Sequence, residues 1–522
     1  MPRFLHFLDR VIDSGIVALL IFPPLAFGAV EVWARSTGQI LILTIVTAWV
    51  VKLIWSPPRV SIQSRPGMIL GGRVQLSGLE WPALVFAAVV FLQIVPLPPS
   101  LVKAVSPKTA ELFAVSLPGY GDPDDRSFVG LPQWLQEEAQ PEAGGVPVFS
   151  KDSGAATAAM PADWFDVGYS AWRPISLTPA HTRRALGVFL AHLAFFVVVF
   201  NQIERKAGLK RYLVILAGLV GVLSIIGIFQ SLTADNKLYW WRGGGPTLSF
   251  GPFVNANNFA GWMEMALPIA AGLTFMLWRK QVRRGARAPA GVLLFGFLTI
   301  LGLTAFALAQ SRGGFLALLG SLAIVLIVLA VTRRLRPRSV ALMLAPVMLA
   351  FAMAAWIDWP SLRDRYGTLA DISKESSFQT RLMFSRVTLE MAADFPILGT
   401  GLGTFREAYY LYTPGTSDRE LVHAHNDYAQ VASECGVAGV VAMLWALGLL
   451  LSRGVVGGLL RRDEPSKWFV WPAAVGVLAL LLHSFVSFNL QIYSNSLLFV
   501  FLCTVLMRCR ADAAVGAAKR NA

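Results

Sequence analysis

The chain has very few of the residues that support a disulfide framework, a cysteine-based metal site or a soluble surface. Three cysteines and six histidines occur among 522 residues, and charged residues make up only 15%. A soluble domain carries about a quarter charged residues. Cys435, Cys503 and Cys509 fall within or beside apolar stretches and show no metal-ligand spacing, so we expect structural roles for them.

Long hydrophobic runs are what the sequence has in abundance. Hydrophobic residues make up 55% of the chain, and the mean hydropathy is +0.58. Runs of about 17–25 apolar residues can each cross a hydrocarbon core of about 30 Å. They predict an all-α polytopic membrane protein with about twelve transmembrane helices, at 12–30, 37–55, 82–98, 184–201, 211–230, 259–277, 291–310, 314–331, 340–358, 428–451, 469–486 and 490–507.

The distribution of Lys and Arg predicts the orientation of these spans. If the amino terminus is cytoplasmic and the spans alternate, every even-numbered connection is short and basic, as at 278–287 and 332–338. The first span lacks a small-residue cleavage site, so we expect it to be retained. The net charge of +14 is then explained by topology and anionic lipid, with no need for nucleic acid.

The predicted spans divide the chain into five segments. Two of them, 99–183 and 359–427, are predicted periplasmic loops, and the first contains a Pro- and Gly-rich flexible insertion. An amphipathic periplasmic helix is expected from Thr380 to about Asp394. The membrane segments are 1–98 with three spans, 184–358 with six, and 428–522 with three spans and a cytoplasmic tail.

The stretch HAHNDYAQVASECGVAG, at 423–439, places two of the six histidines where an apolar helix begins. On a regular helix beginning near His425, a stripe of small residues would lie beneath the imidazole and allow another helix to approach closely. The alternative is an interfacial histidine beside a helix cap formed by Asn426 and Asp427. The small residues are Ala429, Ala432, Gly436 and Gly439.

Two arginines on the same side could bind an anion. Arg312 follows an apolar run in AQSRGGF, where a positive charge requires an anionic partner, either a carboxylate or a phosphate. The glycines at 313 and 314 would leave room for a bulky headgroup. Arg381 lies on the amphipathic helix, and we expect Arg386 to pair with Glu390 instead. With no convincing metal cage, these residues favour metal-independent transfer involving a phosphorylated lipid.

These motifs together resemble the O-antigen ligase / O-antigen polymerase family of bacterial envelope proteins. The family pattern of His, Asn, nine residues, Gly, two residues and Gly matches His425 to Gly439 in full. AQSRGGF, TRLMFSRVTLEMAADFPILGTGLGTF, FVNANNFAGWMEMALP and HSFVSFNLQIYSNSLLF are similar to further family segments, and the resemblance covers about 172–500.

The resemblance implies a GT-C-like membrane glycosyltransferase that needs no metal or cofactor. Its donor would be a glycan on undecaprenyl diphosphate, presented at the periplasmic face of the bacterial inner membrane. Arg312 and Arg381 would hold the diphosphate, and His425 would activate a hydroxyl of the acceptor, lipid A–core, with inversion at the anomeric carbon. The pattern also leads us to expect an acid near Ser487, which this sequence lacks.

Five further residues are candidates for contact with substrate. They are Asn255, Asn258, His423, Asn426 and His483. The first two could instead cap the helix that begins near Phe259, and His483 could be a buried histidine with satisfied hydrogen bonds.

Three other functions stay open at this stage. A polymerase would use the same donor and extend a second lipid-linked glycan, and a related enzyme could glycosylate a protein. A glycolipid transporter is the alternative from another class, but transporter sites usually lie near the bilayer midplane. The insertion at 115–165 has no predicted role.

Overall fold

The computed structural model describes most of the predicted spans and the segments that connect them. The described residues are 2–56, 68–69, 73–117, 120, 172–203, 206–243, 248–282, 290–332, 348–349, 352–360, 363–364, 367, 376–413, 421–460 and 464–521.

Helices dominate the described residues. They are α1 (Pro2–Leu25), α2 (Val32–Trp55), α3 (Glu80–Ile94), α4 (Pro99–Val105), α5 (Pro107–Ser116), α6 (Pro179–Gln202), α7 (Lys206–Thr233), α8 (Ala256–Val282), α9 (Ala290–Leu308), α10 (Arg312–Val331), α11 (Ser376–Asp394), α12 (Phe405–Tyr409), α13 (Asp427–Leu449), α14 (Glu464–His483) and α15 (Tyr493–Asn521). A two-stranded antiparallel ribbon pairs β1 (Met68–Ile69) with β2 (Val74–Gln75).

Seven of the described helices are long and apolar enough to cross a membrane. They include α2, α6, α8, α9 and α10, most of α7, and α13 with its continuation to Leu459. Shorter apolar helices at Glu80–Ile94, Phe469–His483 and Tyr493–Arg508 coincide with three more predicted spans. The prediction of an all-α, multi-pass membrane protein is confirmed, whereas the number twelve and the GT-C-like arrangement stay predictions.

The first and ninth predicted spans differ from the rest. The first falls within α1 and the 3-10 turn Phe27–Ala29 that follows it. Most of the ninth, 340–358, lies outside the described residues, and 352–360 is helical.

Helix α8 lies at the centre of the bundle and packs against α7, α9 and α14. It is buried almost continuously from Ala256 to Leu273. Small residues on its neighbours allow this close packing: a Cβ at Gly476 of α14 would lie 2.7 Å from the Met265 carbonyl oxygen. The centre of the bundle therefore has little room for side-chain movement.

Helix α13 is interrupted at Gly436, where a loop inserts into it. Gly436 has φ 59° and ψ −164°, a combination that is open essentially to glycine alone. The amides of Thr400 and Gly401 donate to the carbonyls of Ser433 and Glu434, at 3.0 and 2.9 Å. Beyond the break, the amides of residues 437 and 438 donate to the carbonyls of residues 396 and 397, at 2.8 and 3.2 Å. The loop thus satisfies backbone groups that the interrupted helix leaves open.

Gln93 at the end of α3 secures the same loop. Its amide nitrogen donates to the carbonyls of Leu398 and Glu434, at 2.5 and 2.7 Å, and its amide oxygen accepts from the Leu402 amide at 3.0 Å. Because Gln93 is fully buried, these bonds are made away from water and tie α3, the loop and α13 together.

Helix α11 is amphipathic as predicted, but its apolar face packs on the protein itself. Phe384, Val387 and Met391 contact a cluster formed by α12 and Ala424. Met383, which the helical spacing assigns to the same face, is 52% exposed. The buried face therefore consists of Phe384, Val387 and Met391 and leaves Met383 outside it.

The two ends of the bundle carry different side chains. The residues at which α2, α6, α10 and α13 begin lie at one end, which we call the histidine end because His423 and His425 lie there. At the other end, Lys52 pairs with Asp9 and Arg211 pairs with Asp13. Arg508 donates to the Gln75 side chain and to the Phe200 carbonyl. Arg211 and Arg508 flank predicted spans next to connections that the charge pattern places in the cytoplasm.

Replacing Gly436 with Ala is expected to destabilise the fold, because the helix break cannot accommodate a side chain. A Cβ there would lie 2.5 Å from the Ile397 carbonyl carbon, and the φ value is strained for any residue with a side chain. The strain costs about 1–3 kcal/mol, so thermal unfolding of the detergent-solubilised protein should begin at a temperature several degrees lower.

Gly448 in the same helix is the matched control for this substitution. A Cβ there meets no atom within 4 Å, so Gly448→Ala should stabilise the helix by about 0.5–1 kcal/mol. Equal shifts in the unfolding temperature for the two variants would contradict the account of the break.

Candidate active site

His425 lies in the segment before α13 and is held by two aromatic rings. Its imidazole stacks on Phe384 of α11, with centroids 5.9 Å apart, and meets Phe488 edge-on at 4.7 Å. Its backbone has φ 54°, a left-handed conformation that is uncommon for a residue with a side chain and is found where surrounding contacts enforce it. The ring is therefore half-buried in a defined orientation.

Asn426 caps α13. Its side-chain oxygen accepts hydrogen bonds from the amides of Tyr428 and Ala429, both at 3.1 Å. Because the helix begins only at Asp427, His425 precedes it and does not project from a helical face. The predicted stripe of small residues beneath His425 is therefore wrong, and the break at Gly436 interrupts the stripe as well.

A buried row of polar side chains supports the segment that carries both histidines. The Gln430 side-chain oxygen accepts from the Ala424 amide at 3.2 Å, and its nitrogen donates to Glu434 at 3.1 Å. The same nitrogen lies 3.5 Å from His423 Nδ1. Glu434 in turn accepts from the Phe405 amide at 3.1 Å. His423 and Ala424, which precede His425, are thereby tied to α13 and, through Glu434, to α12.

The surroundings of both histidines favour the neutral imidazole. Burial lowers the pKa of His425 to about 3, with further lowering by the positive charge of Arg381 and by His423. Burial also lowers the pKa of His423 to about 4, and the positive charge of Arg35 adds to the effect. Both rings are neutral at pH 7, and neutral imidazole is the form that can accept a proton.

Arg381 links α11 to the connection between α14 and α15. One of its guanidinium nitrogens donates to the Val486 carbonyl at 2.8 Å. Arg386 pairs with Glu390 across one helical turn at 3.6 Å, as predicted. Arg381 thus lies close to both His425 and the 483–488 segment.

Arg312 is the first residue of α10 and is almost completely buried. The preceding residue, Ser311, caps the helix through Gly314 and donates to Asn257 at 2.8 Å. The expected open space at the two following glycines is filled: a Cβ at Gly313 would lie 3.0 Å from His483 Nε2, and one at Gly314 would lie 3.3 Å from Glu264 Oε2. The glycines serve close packing, and the predicted room for a headgroup beside them is not there.

The segment from His483 to Gln491 brings the two arginines together. Val486 accepts from Arg381 through its carbonyl, and its side chain lies 3.1 Å from the Cβ position of Gly313, next to Arg312. Phe488 in the same segment contacts both imidazoles. The two arginines and the two histidines therefore surround one connection at the histidine end.

A buried acid–imidazole pair lies directly behind Arg312. Neither Glu264 nor His483 has exposed surface, and His483 Nδ1 lies 3.1 Å from Glu264 Oε2. Asn489 lies 3.0 Å from the same nitrogen, and Asn495 joins Asn489 to the carbonyl of Asn258. His483 is thus buried and hydrogen-bonded through Nδ1, as the alternative to substrate contact expects, but its Nε2 has no hydrogen-bond partner among the described residues, so its hydrogen bonds are only partly satisfied.

The two predicted asparagines at the start of α8 differ in their contacts. Asn255 accepts from the Asn257 amide at 2.8 Å, the geometry of a helix cap. Asn258 is buried, with 3% of its surface exposed. Asn255 therefore agrees with the capping interpretation, whereas the side-chain oxygen of Asn258 has no hydrogen-bond partner among the described residues. A role of either residue in substrate binding stays a prediction.

Sequence reasoning missed the residues that position the histidines: Gln93, Gln430, Glu434 and Phe488. Two of them carried a signal, since Gln430 and Glu434 are polar residues four apart in an otherwise apolar helix. Such residues must find polar partners in a membrane. Within the part of the chain that the structure describes, no group of three or more His, Cys, Asp or Glu side chains could hold a metal ion.

Comparison with known protein families gives one match. Residues 297–444, about a quarter of the chain, match the family described as O-Antigen ligase. That range contains Arg312, Arg381 and His425, and it confirms the resemblance inferred from the sequence. No curated protein matches the chain.

Replacing Gln430 with Leu is expected to loosen the segment that carries His425. The variant loses the bonds to Ala424 and Glu434, each worth about 0.5–1.5 kcal/mol. Diethyl pyrocarbonate should then modify His425 about tenfold faster than in the wild type, as measured by mass spectrometry. A tenfold change corresponds to a loss of about 1.4 kcal/mol of stabilisation.

Gln230→Leu provides the control, because Gln230 is also a buried glutamine with two backbone partners, Gly251 and Tyr239. Its replacement should leave the reactivity of His425 unchanged. Equal reactivity in the wild type and Gln430→Leu would show that Gln430 does not position the histidine.

Proposed function

Since residues 297–444 belong to the O-antigen ligase family, we propose that the protein transfers a glycan from undecaprenyl diphosphate to a hydroxyl of lipid A–core. The reaction takes place at the periplasmic face of the bacterial inner membrane, at the histidine end of the bundle. One observation carries the proposal: Arg312, Arg381 and a neutral His425 surround the same short connection at one end of the membrane helices.

The two arginines bind the diphosphate of the donor. A guanidinium group matches phosphate oxygens with paired donors and stays charged when it is partly buried. Arg312 also begins α10, and a helix amino terminus favours a negative charge. The arginines stabilise the charge that grows on the diphosphate as it leaves, which places the main electrostatic effect at the leaving group. The proposed reaction uses no metal ion or other cofactor.

His425 accepts the proton of the acceptor hydroxyl. The acceptor oxygen forms a bond to the anomeric carbon while the bond from that carbon to the diphosphate oxygen breaks. The electron pair leaves with undecaprenyl diphosphate, and the proton stays on His425 until solvent removes it. Attack from the side opposite the leaving group inverts the anomeric configuration.

Donor binding itself strengthens His425 as a base. In the donor-free protein the positive charge of Arg381 contributes to the lowered pKa of His425. A bound diphosphate compensates that charge and raises the pKa of His425 above its donor-free value, while burial, the larger cause of the lowering, persists. A base is most effective when its pKa lies near the working pH, so His425 becomes an effective base only when the donor is in place.

The test compares the wild type with His425→Ala, both purified in detergent. Each is given undecaprenyl-diphosphate glycan and either lipid A–core or a second lipid-linked glycan, with a chelator present. We expect transfer to lipid A–core by the wild type and a loss of about 10²-fold or more in the variant, as for removal of a general base.

His6→Ala is the matched control, because His6 is an exposed histidine on α1 outside the site. It should retain activity, and all three proteins should unfold at similar temperatures. A ladder of longer lipid-linked glycans would instead indicate a polymerase. Full activity in His425→Ala would overturn the role of the histidine, and an inactive wild type with every acceptor would favour a transporter.

A further inference from the structure

A second basic group lies on the far side of His423 and has no part in the proposed mechanism. Arg35 is on the first turn of α2 and Arg184 is near the start of α6. Arg35 interacts electrostatically with both Arg184 and His423, while Arg381 does so with His425. Arg381 therefore lies near His425, and Arg35, with Arg184 beside it, lies near His423.

The position of Arg35 is set by the protein, although its charge is only partly compensated. One of its guanidinium nitrogens donates to the Val30 carbonyl at 2.8 Å. Among the described residues, Glu31 is the acid that interacts with Arg35, and Glu31 is also paired with Arg242. Arg242 is in turn held over the ring of Phe27 at 4.7 Å. Arg35 and Arg242 thus share one carboxylate, and Arg184 adds a further positive charge beside Arg35, which leaves an excess of positive charge.

Tyr493 supplies an independent sign of a missing ligand. Only 3% of its surface is exposed, and its hydroxyl has no hydrogen-bond partner among the described residues. Its ring packs on Gly38, one helical turn from Arg35, and against His192 at 5.1 Å. A buried hydroxyl without a partner costs about 1–3 kcal/mol, and this one also interacts with Arg35. A ligand oxygen at Arg35 would meet a donor that is already in place.

We propose that Arg35, Arg184 and Tyr493 form a second anion site, which binds a phosphate group on the sugar of the acceptor. This inference rests on the proposed function, because it assigns the site to the second substrate of that reaction. The order Arg381, His425, His423, Arg35 separates the two anions: the donor diphosphate lies at Arg381, and the acceptor phosphate lies at Arg35. The acceptor hydroxyl then reaches His425 between them.

We expect the second anion site to affect the binding of the acceptor and not the rate of glycan transfer itself. Arg35→Gln and Arg184→Gln are each expected to raise KM for a phosphorylated lipid A–core acceptor about tenfold, the effect of losing about 1.4 kcal/mol. The value of kcat at saturating acceptor and KM for the donor should stay near those of the wild type. The same acceptor after enzymatic removal of its phosphates should be insensitive to both substitutions.

Arg183→Gln is the matched control, because Arg183 is an exposed neighbour of Arg184 on α6. Tyr493→Phe is a second, milder variant that removes only the hydroxyl, and it should weaken binding in the same direction. Equal acceptor KM values for Arg35→Gln, Arg184→Gln and Arg183→Gln would overturn the proposal. A rise in donor KM would also overturn it, since the arginines would then belong to the donor site.

Direct binding separates this inference from the proposed function. Phosphorylated lipid A–core should bind the detergent-solubilised wild type and His425→Ala equally, and Arg35→Gln about tenfold more weakly. If the wild type binds this probe in that pattern but transfers no glycan, the proposed function fails and the anion site stands. If the probe binds the wild type and Arg35→Gln alike, the anion site fails whatever the catalytic assay shows.

Discussion

Four backbone hydrogen bonds between the 396–401 loop and the two halves of α13 hold the candidate site in place. They satisfy the amides and carbonyls that the break at Gly436 opens within a predicted membrane helix, where an unpaired backbone group is costly. Gln93 secures the loop from α3, and Glu434 lies beside the break with partners in α12 and Gln430. The position of His425 follows from these contacts.

The electrostatics of the site depend on the same packing. Phe384 and Phe488 exclude water from His425, and Arg381 adds a positive charge beside it, so the imidazole is neutral before any substrate binds. In the proposed reaction, the donor diphosphate compensates the charge of Arg381 and so raises the pKa of His425. The proposal therefore couples the base strength of His425 to donor binding.

Sequence patterns were sufficient for features that depend on neighbouring residues. Hydropathy located the helices, and Asn426 and the Arg386–Glu390 pair were predictable from local spacing. The break at Gly436 could not be predicted from local spacing, because a loop that is distant in sequence enforces the backbone strain there. The filled space beside Gly313 depends in the same way on His483. The lowered pKa of His425 arises from burial and from the neighbouring Arg381 and His423, so it depends on contacts between segments that are distant in sequence.

The most direct test of the account is the pH dependence of kcat/KM for the donor, which reports the donor-free enzyme. The pKa of His425 is lowered to about 3, so the imidazole stays neutral as the pH falls through the ordinary value of about 6.5. The account predicts that kcat/KM stays constant between about pH 5 and 8. As the pH is lowered, kcat begins to fall at a higher pH than kcat/KM does, because bound diphosphate raises the pKa of His425. A tenfold loss of kcat/KM per pH unit below about 6.5 would contradict it.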